Sequence, residues 1–257
     1  MKTAFFHDCV FIKNIDGNIY TTGGLDYKKL NEYVKYFGNV TVFSRCRNIK
    51  KDDDIEKMSK ATTEGVEFNS IPNLNIFSLY YGNANKRLKE LIKNSDFIII
   101  RLPSYIGLVA AKEARKQKKK YLIEMVACPW DALWNYGKIQ KKLFALPTYI
   151  LNKKIVKKAS NVIYVSEKFL QSRYPTNGKN IACSDVVLDN IDEKVIENRK
   201  NKIENMDKNK KIKLLTLANI GLKCKGQQFV IKAISNLRKK GIEVEYYLAR
   251  WRVFTIY

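Results

Sequence analysis

The chain has 257 residues, 46% of them hydrophobic and 12% aromatic, enough to bury a full core and to exclude disorder throughout. Lys and Arg number 48 against 25 Asp and Glu, a formal charge of +23 that favours anionic partners: nucleic acid, acidic headgroups or phosphorylated small molecules. The lysines are spread through helices and linkers without a nucleic-acid-binding signature, so composition does not favour nucleic acid.

Cys9, Cys46, Cys128, Cys183 and Cys224 show no C-x-x-C spacing and have no neighbouring histidine, which points to reduced thiols and to no metal site. No charged segment followed by an apolar stretch opens the chain, and no run approaches the about 18 apolar residues of a membrane span. The expectation is a cytoplasmic protein, held at most peripherally at the inner membrane face.

In chain order, residues 3–11 read as a buried strand, and "IKNIDGNIYTTGG" as a loop ending at Gly23-Gly24. The helix "LDYKKLNEYVKYF" follows, with Leu30, Val34 and Phe37 on one face, and then the strand "NVTVFSR". The alternation continues through helix "ANKRLKELIK", strand "DFIIIRLP", helix "IGLVAAKEARKQ", strand "KYLIEMV", a long helical stretch over 138–158 that Pro147 is expected to kink, and strand "NVIYVS". Near-continuous apolar strands such as "FIII" belong to parallel sheets covered on both faces. The fold class is therefore α/β, doubly wound.

Residues 189–211 are dense in charge and Asn and read as a linker with some helix between a domain at 1–188 and a second one starting at 212. There "IKLLTLA", a helix with Phe229, Val230, Ala233, Ile234 and Leu237 on one face, and "VEYYLA" form a single βαβ unit, which is expected to end with that strand. Such a stub cannot cover both faces of a sheet, so its apolar strands are expected to be partly exposed or packed on the first domain.

The loop "NIGLKCKG" is the first chemical candidate. Gly221 permits a tight turn, Gly226 stands at a helix start where backbone N–H groups and the dipole can hold a phosphate, and Lys223 and Lys225 add charge. It is neither a Walker A loop nor G-x-G-x-x-G, and a solvated basic turn has the same composition. Gly23 and Gly24 hold the corresponding place in the first domain, either for close ligand approach or for a turn needing positive φ. Two such turns on two domains suggest a ligand held in the cleft between them, its phosphates touched from both sides, by Gly23 and Gly24 on one and the basic loop on the other.

The stretch "GLKCKGQQFVIKAISNLRKKGIEVEYYL" resembles the start of the C-terminal domain of the family 4, or group 1, retaining glycosyltransferases, whose GT-B fold faces two Rossmann-like lobes. The blocks "GGL", "RLPSYIG", "KKYLIEMVACPWDALWNYG" and "VIYVSEKFLQSRYP" resemble the acceptor lobe of bacterial members that build capsular or exopolysaccharide. The resemblance implies a nucleotide diphosphate sugar as donor, a lipid-linked or saccharide acceptor, and neither cofactor nor metal. Lys225 would then neutralise the diphosphate leaving group. Many members carry an arginine after the loop's first glycine; here Leu222 stands there, leaving Lys223 as the substitute.

The family often places a histidine after the strand matching "KKYLIEMV". Here the only histidine is His7, which reads as a core or cleft-edge side chain, and Glu124 is the nearest ionisable candidate, either orienting ligand hydroxyls or pairing with a basic neighbour. Arg101 and Ser104 are candidates for lining the acceptor cleft, and Trp130 for a sugar or lipid platform; a loop arginine and ordinary packing are the plain alternatives. The run "KIQKKLFALPTYILNKKIVKKA" is a candidate membrane-surface segment or a core helix with a lysine-rich outer face. In the family, a glycine-rich turn and a pair of donor-binding glutamates follow the strand matching "VEYYL"; "ARWRVFTIY" stands there instead. The expectation is a donor lobe present only as its first βαβ unit, with transferase activity impaired; a non-catalytic sugar- or partner-binding module is the alternative.

Overall fold

Apolar strands bounded by turn residues build two sheets in the computed structural model. It describes the whole chain except residues 76–82, 136–138, 187–191, 206–210, 219–224, 251–252 and 257; for 83–85, 250 and 253–256 only the backbone is described. The first part runs β1 (Thr3–Lys13), β2 (Ile19–Thr21), α1 (Tyr27–Phe37), β3 (Val40–Asn48), β4 (Ser59–Lys60), β5 (Val66–Ser70), α2 (Asn83–Lys93), β6 (Phe97–Leu102), α3 (Tyr105–Lys116) and β7 (Lys120–Met125). It continues with α4 (Pro129–Asn135), α5 (Ile139–Leu143), α6 (Ala145–Lys157), β8 (Asn161–Tyr164), α7 (Phe169–Arg173) and β9 (Lys179–Ala182). Then come α8 (Glu193–Glu204), β10 (Ile212–Leu217), α9 (Gln227–Lys239), β11 (Val244–Arg250) and β12 (Val253–Ile256).

The parallel strands lie in the order β5-β3-β1-β6-β7-β8-β9, with β2 and β4 added antiparallel at one end of β1. The chain builds outward from β1 to β5, then returns to the other side of β1 and builds outward again from β6. With right-handed crossovers, that reversal sends the helices before and after it to opposite faces. Two cores result. Phe5, Val42 and Ile99 pack with Leu30 and Tyr33 of α1, while Ala4, Phe6, Ile98 and Ile100 pack with Leu88, Leu108 and Val156 of α2, α3 and α6. This is a doubly wound, Rossmann-like sheet.

Several elements differ from the sequence expectation. The first strand does not stop at Phe11: it runs to Lys13 and turns through Asn14–Asp16–Gly17 into β2, a hairpin where a loop was expected. Gly17 takes φ +84°, the left-handed conformation that an Asp-Gly turn supplies. The helical stretch over 138–158 is two helices, α5 and α6, with Lys138 outside the described residues. Pro147 lies in the first turn of α6, where a missing N–H costs no helical bond, and the stretch breaks at Phe144, just after Leu143, the residue four before the proline.

By its contacts the chain divides into one unit of Met1–Trp130 and Leu146–Asp185 and another of Asp131–Ala145 and Val186–Tyr257. The charged stretch after the first unit carries α8, no residue of which is buried. In the second unit β10 and β11 pair in parallel, and β12 pairs back on β11, so the strand "VEYYLA" is not the last. Val230, Ile234 and Leu237 of α9 pack on Val244, Tyr246 and Leu248, whereas Phe229 and Ala233, expected on the same face, are exposed. Strand β10 is also exposed, with Leu215 at 63% and Leu217 at 71%.

Candidate functional site

In a doubly wound sheet the ligand crevice opens beyond the carboxyl ends of the strands where the order reverses, here between β1 and β6. Pairing of β1 with β6 ends at Phe6 and Ile100, and the register of β1 against β3 shifts between Phe6 and Val10. His7, Asp8 and Cys9 form this bulge, a device common beside functional sites. It is held from β3: Ser44 Oγ lies 2.7 Å from the His7 carbonyl and 2.5 Å from that of Cys9, and the Arg45 guanidinium donates to the Asp8 carbonyl.

Beside the bulge, Arg101 of β6 and Glu124 of β7 are only 7% and 8% exposed. Arg101 Nη1 donates to Glu124 Oε2 at 3.0 Å and Nη2 to Asp185 Oδ2 at 2.5 Å, so one guanidinium serves two carboxylates. The Tyr33 hydroxyl, from α1, donates to the same Glu124 oxygen at 2.7 Å and accepts from Arg101 at 3.4 Å. Burial, reinforced by the Glu124 charge, pushes the Tyr33 phenol far above its ordinary range and keeps it a donor. His7 Nδ1 lies 3.2 Å from the Arg101 carbonyl oxygen, which can only accept, so this nitrogen carries the proton. Burial, then the positive charge of Arg101, lowers the His7 pKa from 6.5 to about 4 and leaves the ring neutral.

The N-terminus of α3 faces this cluster and is already filled. Asp8 accepts from the Tyr105 N–H at 2.6 Å and from the Ile106 N–H at 3.2 Å, while Ser104 Oγ accepts from Gly107 N–H at 2.8 Å. Burial raises the Asp8 pKa, and these hydrogen bonds act against the rise. Ser104 is thus the N-cap of α3, buried, with its hydroxyl committed to the helix.

The other expected positions fall as follows. Gly23 lies against the bulge: a Cβ there would stand 3.8 Å from Cys9 Sγ, and its N–H donates to Thr21 Oγ1 at 3.0 Å. Gly24 has open space around it, and neither glycine takes positive φ, so the turn does not demand glycine for its backbone. Trp130 is partly buried, edge-on to Tyr149 at 6.1 Å and packed on the core.

In the second unit Gly226 is the N-cap of α9 at φ +81°, with no side chain to cap the helix, and Lys225 beside it is exposed. No acidic residue stands in the first turn of α9. Gly221 and Lys223 lie outside the described residues. Among the described residues no group of three or more His, Cys, Asp or Glu could hold a metal ion.

Arg101 and Glu124 are legible at strand ends from the sequence; Asp8 at the end of α3, and the partners Tyr33 and Asp185, are the residues it did not single out. Asp8 follows the apolar run "TAFF" and was readable as a polar residue at the end of the first strand. Tyr33 and Asp185 are distant from Glu124 and Arg101 in the chain and meet them only through the fold.

The fold and these turns define a doubly wound, Rossmann-like α/β protein with a βαβ unit of a second sheet. Over 250 residues the chain is 34% identical to Protein CapJ of Staphylococcus aureus, covering 95% of this chain and 60% of that protein, so it spans less than two thirds of that relative's length. No family model matches the chain. Among solved structures, a glycosyltransferase from Rickettsia africae ESF-5 aligns at 15% identity and TM-score 0.44 over 96% of this chain and 68% of that one. Sucrose-phosphate synthase from Thermosynechococcus elongatus aligns at 12% and 0.43 over 97% and 70%. A UGT transferase from Siraitia grosvenorii in complex with UDP aligns at 10% and 0.42 over 86% and 59%. These structural likenesses are too distant to assign an activity.

Proposed function

We propose that this chain is the acceptor-side lobe and the beginning of the donor lobe of a group 1 glycosyltransferase of GT-B type, serving capsular or exopolysaccharide synthesis. The observation that carries this reading is the contrast between two helix N-termini. The α3 end is filled by Asp8, whereas the α9 end presents Gly226 and the exposed Lys225. A helix end occupied by the protein's own carboxylate has no room for a phosphate; one with a glycine cap, no acidic residue in its first turn and an exposed lysine beside it is suited to one.

In this reading the nucleotide diphosphate sugar binds at the β10–α9 turn, with Lys225 against the diphosphate and Gly221, Lys223 and Gly226 around it. The hexose passes to a lipid-linked or saccharide acceptor on the first unit, near Arg101, Ser104 and Trp130. Arg101 and Glu124 then act as a charge-balanced wall that fixes the crevice; Glu124 serves the acceptor through Tyr33 and Arg101. Titration of the 257-residue chain with UDP-, GDP- and dTDP-hexoses tests the donor site. One of them should bind, and Lys225→Gln should weaken it about tenfold, the loss of one charge-assisted contact. Binding of none would overturn the donor assignment.

The exposed apolar residues of β10 favour a second reading, a non-catalytic module that takes a protein partner on that strand. Failure of every nucleotide sugar to bind would favour it. Peripheral contact with an anionic membrane is proposed for residues 139–158. In α5 Ile139 and Leu143 are 79% and 72% exposed in the same helix as Lys141 and Lys142; in α6 Leu146 and Ile150 are exposed in the same helix as Lys154 and Lys157. No helix of the described residues is long and apolar enough to cross a membrane. Sedimentation with phosphatidylglycerol vesicles but not with phosphatidylcholine vesicles is the expected result.

A further inference from the structure

We infer that His7 is a binding residue for a neutral hydroxyl of the acceptor, with its Nε2 accepting the hydrogen bond. The inference rests on the reading of the first unit as the acceptor side.

The ring stands where a ligand would meet it, in the β1 bulge at the point where the strand order reverses. Its orientation is fixed from behind, because Nδ1–H donates to the Arg101 carbonyl and the His7 carbonyl is held by Ser44. The other nitrogen therefore carries a lone pair. Nε2 has no hydrogen-bond partner among the described residues, yet it is not sealed away: the only buried side-chain polar atom without a partner among them is Asn152 Oδ1.

The surroundings also select the ligand. With Arg101 and Arg45 near, and with burial working in the same direction, the ring stays neutral and Nε2 can only accept. A phosphate dianion has no proton to offer that lone pair. Arg101, which could otherwise attract one, is already paired with Glu124 and Asp185. The adjoining helix end is filled by Asp8. What remains suited to Nε2 is an uncharged O–H donor, the group that a saccharide presents.

His7 is the only histidine in the chain, so selective ¹⁵N-histidine labelling yields one pair of ring-nitrogen signals from the full 257-residue protein. Methyl glycosides of the common hexoses and N-acetylhexosamines are the probes. At least one should move the Nε2 signal in long-range ¹H–¹⁵N spectra while Nδ1 stays protonated, and UDP alone should leave Nε2 in place. His7→Asn keeps a donor for the Arg101 carbonyl but lacks the acceptor at the Nε2 position, and should weaken that glycoside about tenfold. His7→Gln places an amide oxygen near the Nε2 position and should recover part of the loss.

Nε2 unmoved by every glycoside, moved equally by UDP, or His7→Asn binding glycoside as tightly as the native chain would each overturn the inference. If His7→Asn fails to fold, the labelled native chain still decides. Nucleotide-sugar binding that responds to Lys225→Gln, with no glycoside effect at His7, would sink this inference alone. A glycoside effect at His7 with no nucleotide binding would sink the donor assignment alone.

Discussion

Two turns in this chain bring a strand end to a helix N-terminus, and they are furnished in opposite ways. Between β6 and α3, the first backbone N–H groups are taken by Asp8 and by Ser104, in a buried setting where Glu124 and Asp185 share the Arg101 guanidinium. Between β10 and α9, the cap is Gly226 and the neighbouring cation, Lys225, is exposed. The caps differ in backbone as well: Ser104 is extended at φ −166° and ψ 132°, whereas Gly226 is left-handed at φ +81°. At α3 a side chain from another strand adds to the contrast, since Asp8 reaches it from β1.

The largest test of the closed turn is Arg101→Ala. It leaves Glu124 and Asp185 without their shared cation, and removing one member of a buried ion pair costs about 3–5 kcal/mol. A correspondingly lower urea midpoint is expected, and a midpoint within error of the native value would show that the cluster contributes nothing to holding the crevice.

Acidification should produce the next effect. The folded-state pKa of His7, about 4, lies below its ordinary 6.5, so between those values the unfolded chain binds more protons than the native one. His7 therefore contributes stability that is complete above pH 6.5 and lost as pH falls towards 4, on the order of 3 kcal/mol for that shift. Asp8, raised by burial, works in the opposite direction over its own range. The difference between native and His7→Gln unfolding curves isolates the histidine, and a difference that does not change between pH 7 and pH 4 would count against the lowered pKa.

Asp8→Ala should cost less, about 1–2 kcal/mol for a lost helix-end carboxylate. It should also convert the closed turn into an open one, so that sulfate raises the melting temperature of the variant more than that of the native chain. Equal stabilisation of both by sulfate would mean that Asp8 does not keep anions from α3.

Much of the architecture was legible from local pattern. The run "FIII" is apolar at every position because both faces of β6 are covered, as Ile98, Ile99 and Ile100, each fully buried, demonstrate. Arg101 and Glu124 could be placed at the ligand end because strand direction and the α/β alternation fix which end that is. Less legible was the β1–β2 hairpin, whose Asp16-Gly17 signal sits inside a polar stretch. The exposed side of α9 escaped as well: periodicity identifies an apolar face but not how much of it is covered, and Phe229 is 71% exposed.

By itself, then, the order of residues determined the alternation of strands and helices, their apolar faces, and the start of α9 at a glycine. These depend on backbone preference and on side-chain periodicity over a few residues. The tertiary structure decided that Tyr33, Arg101, Glu124 and Asp185 form one cluster, that Asp8 fills the end of α3, and that His7 stands with one nitrogen bound and the other open. Each of those contacts joins strands or helices far apart in the chain, and only packing in a sheet whose order reverses at β1 brings them within hydrogen-bonding distance.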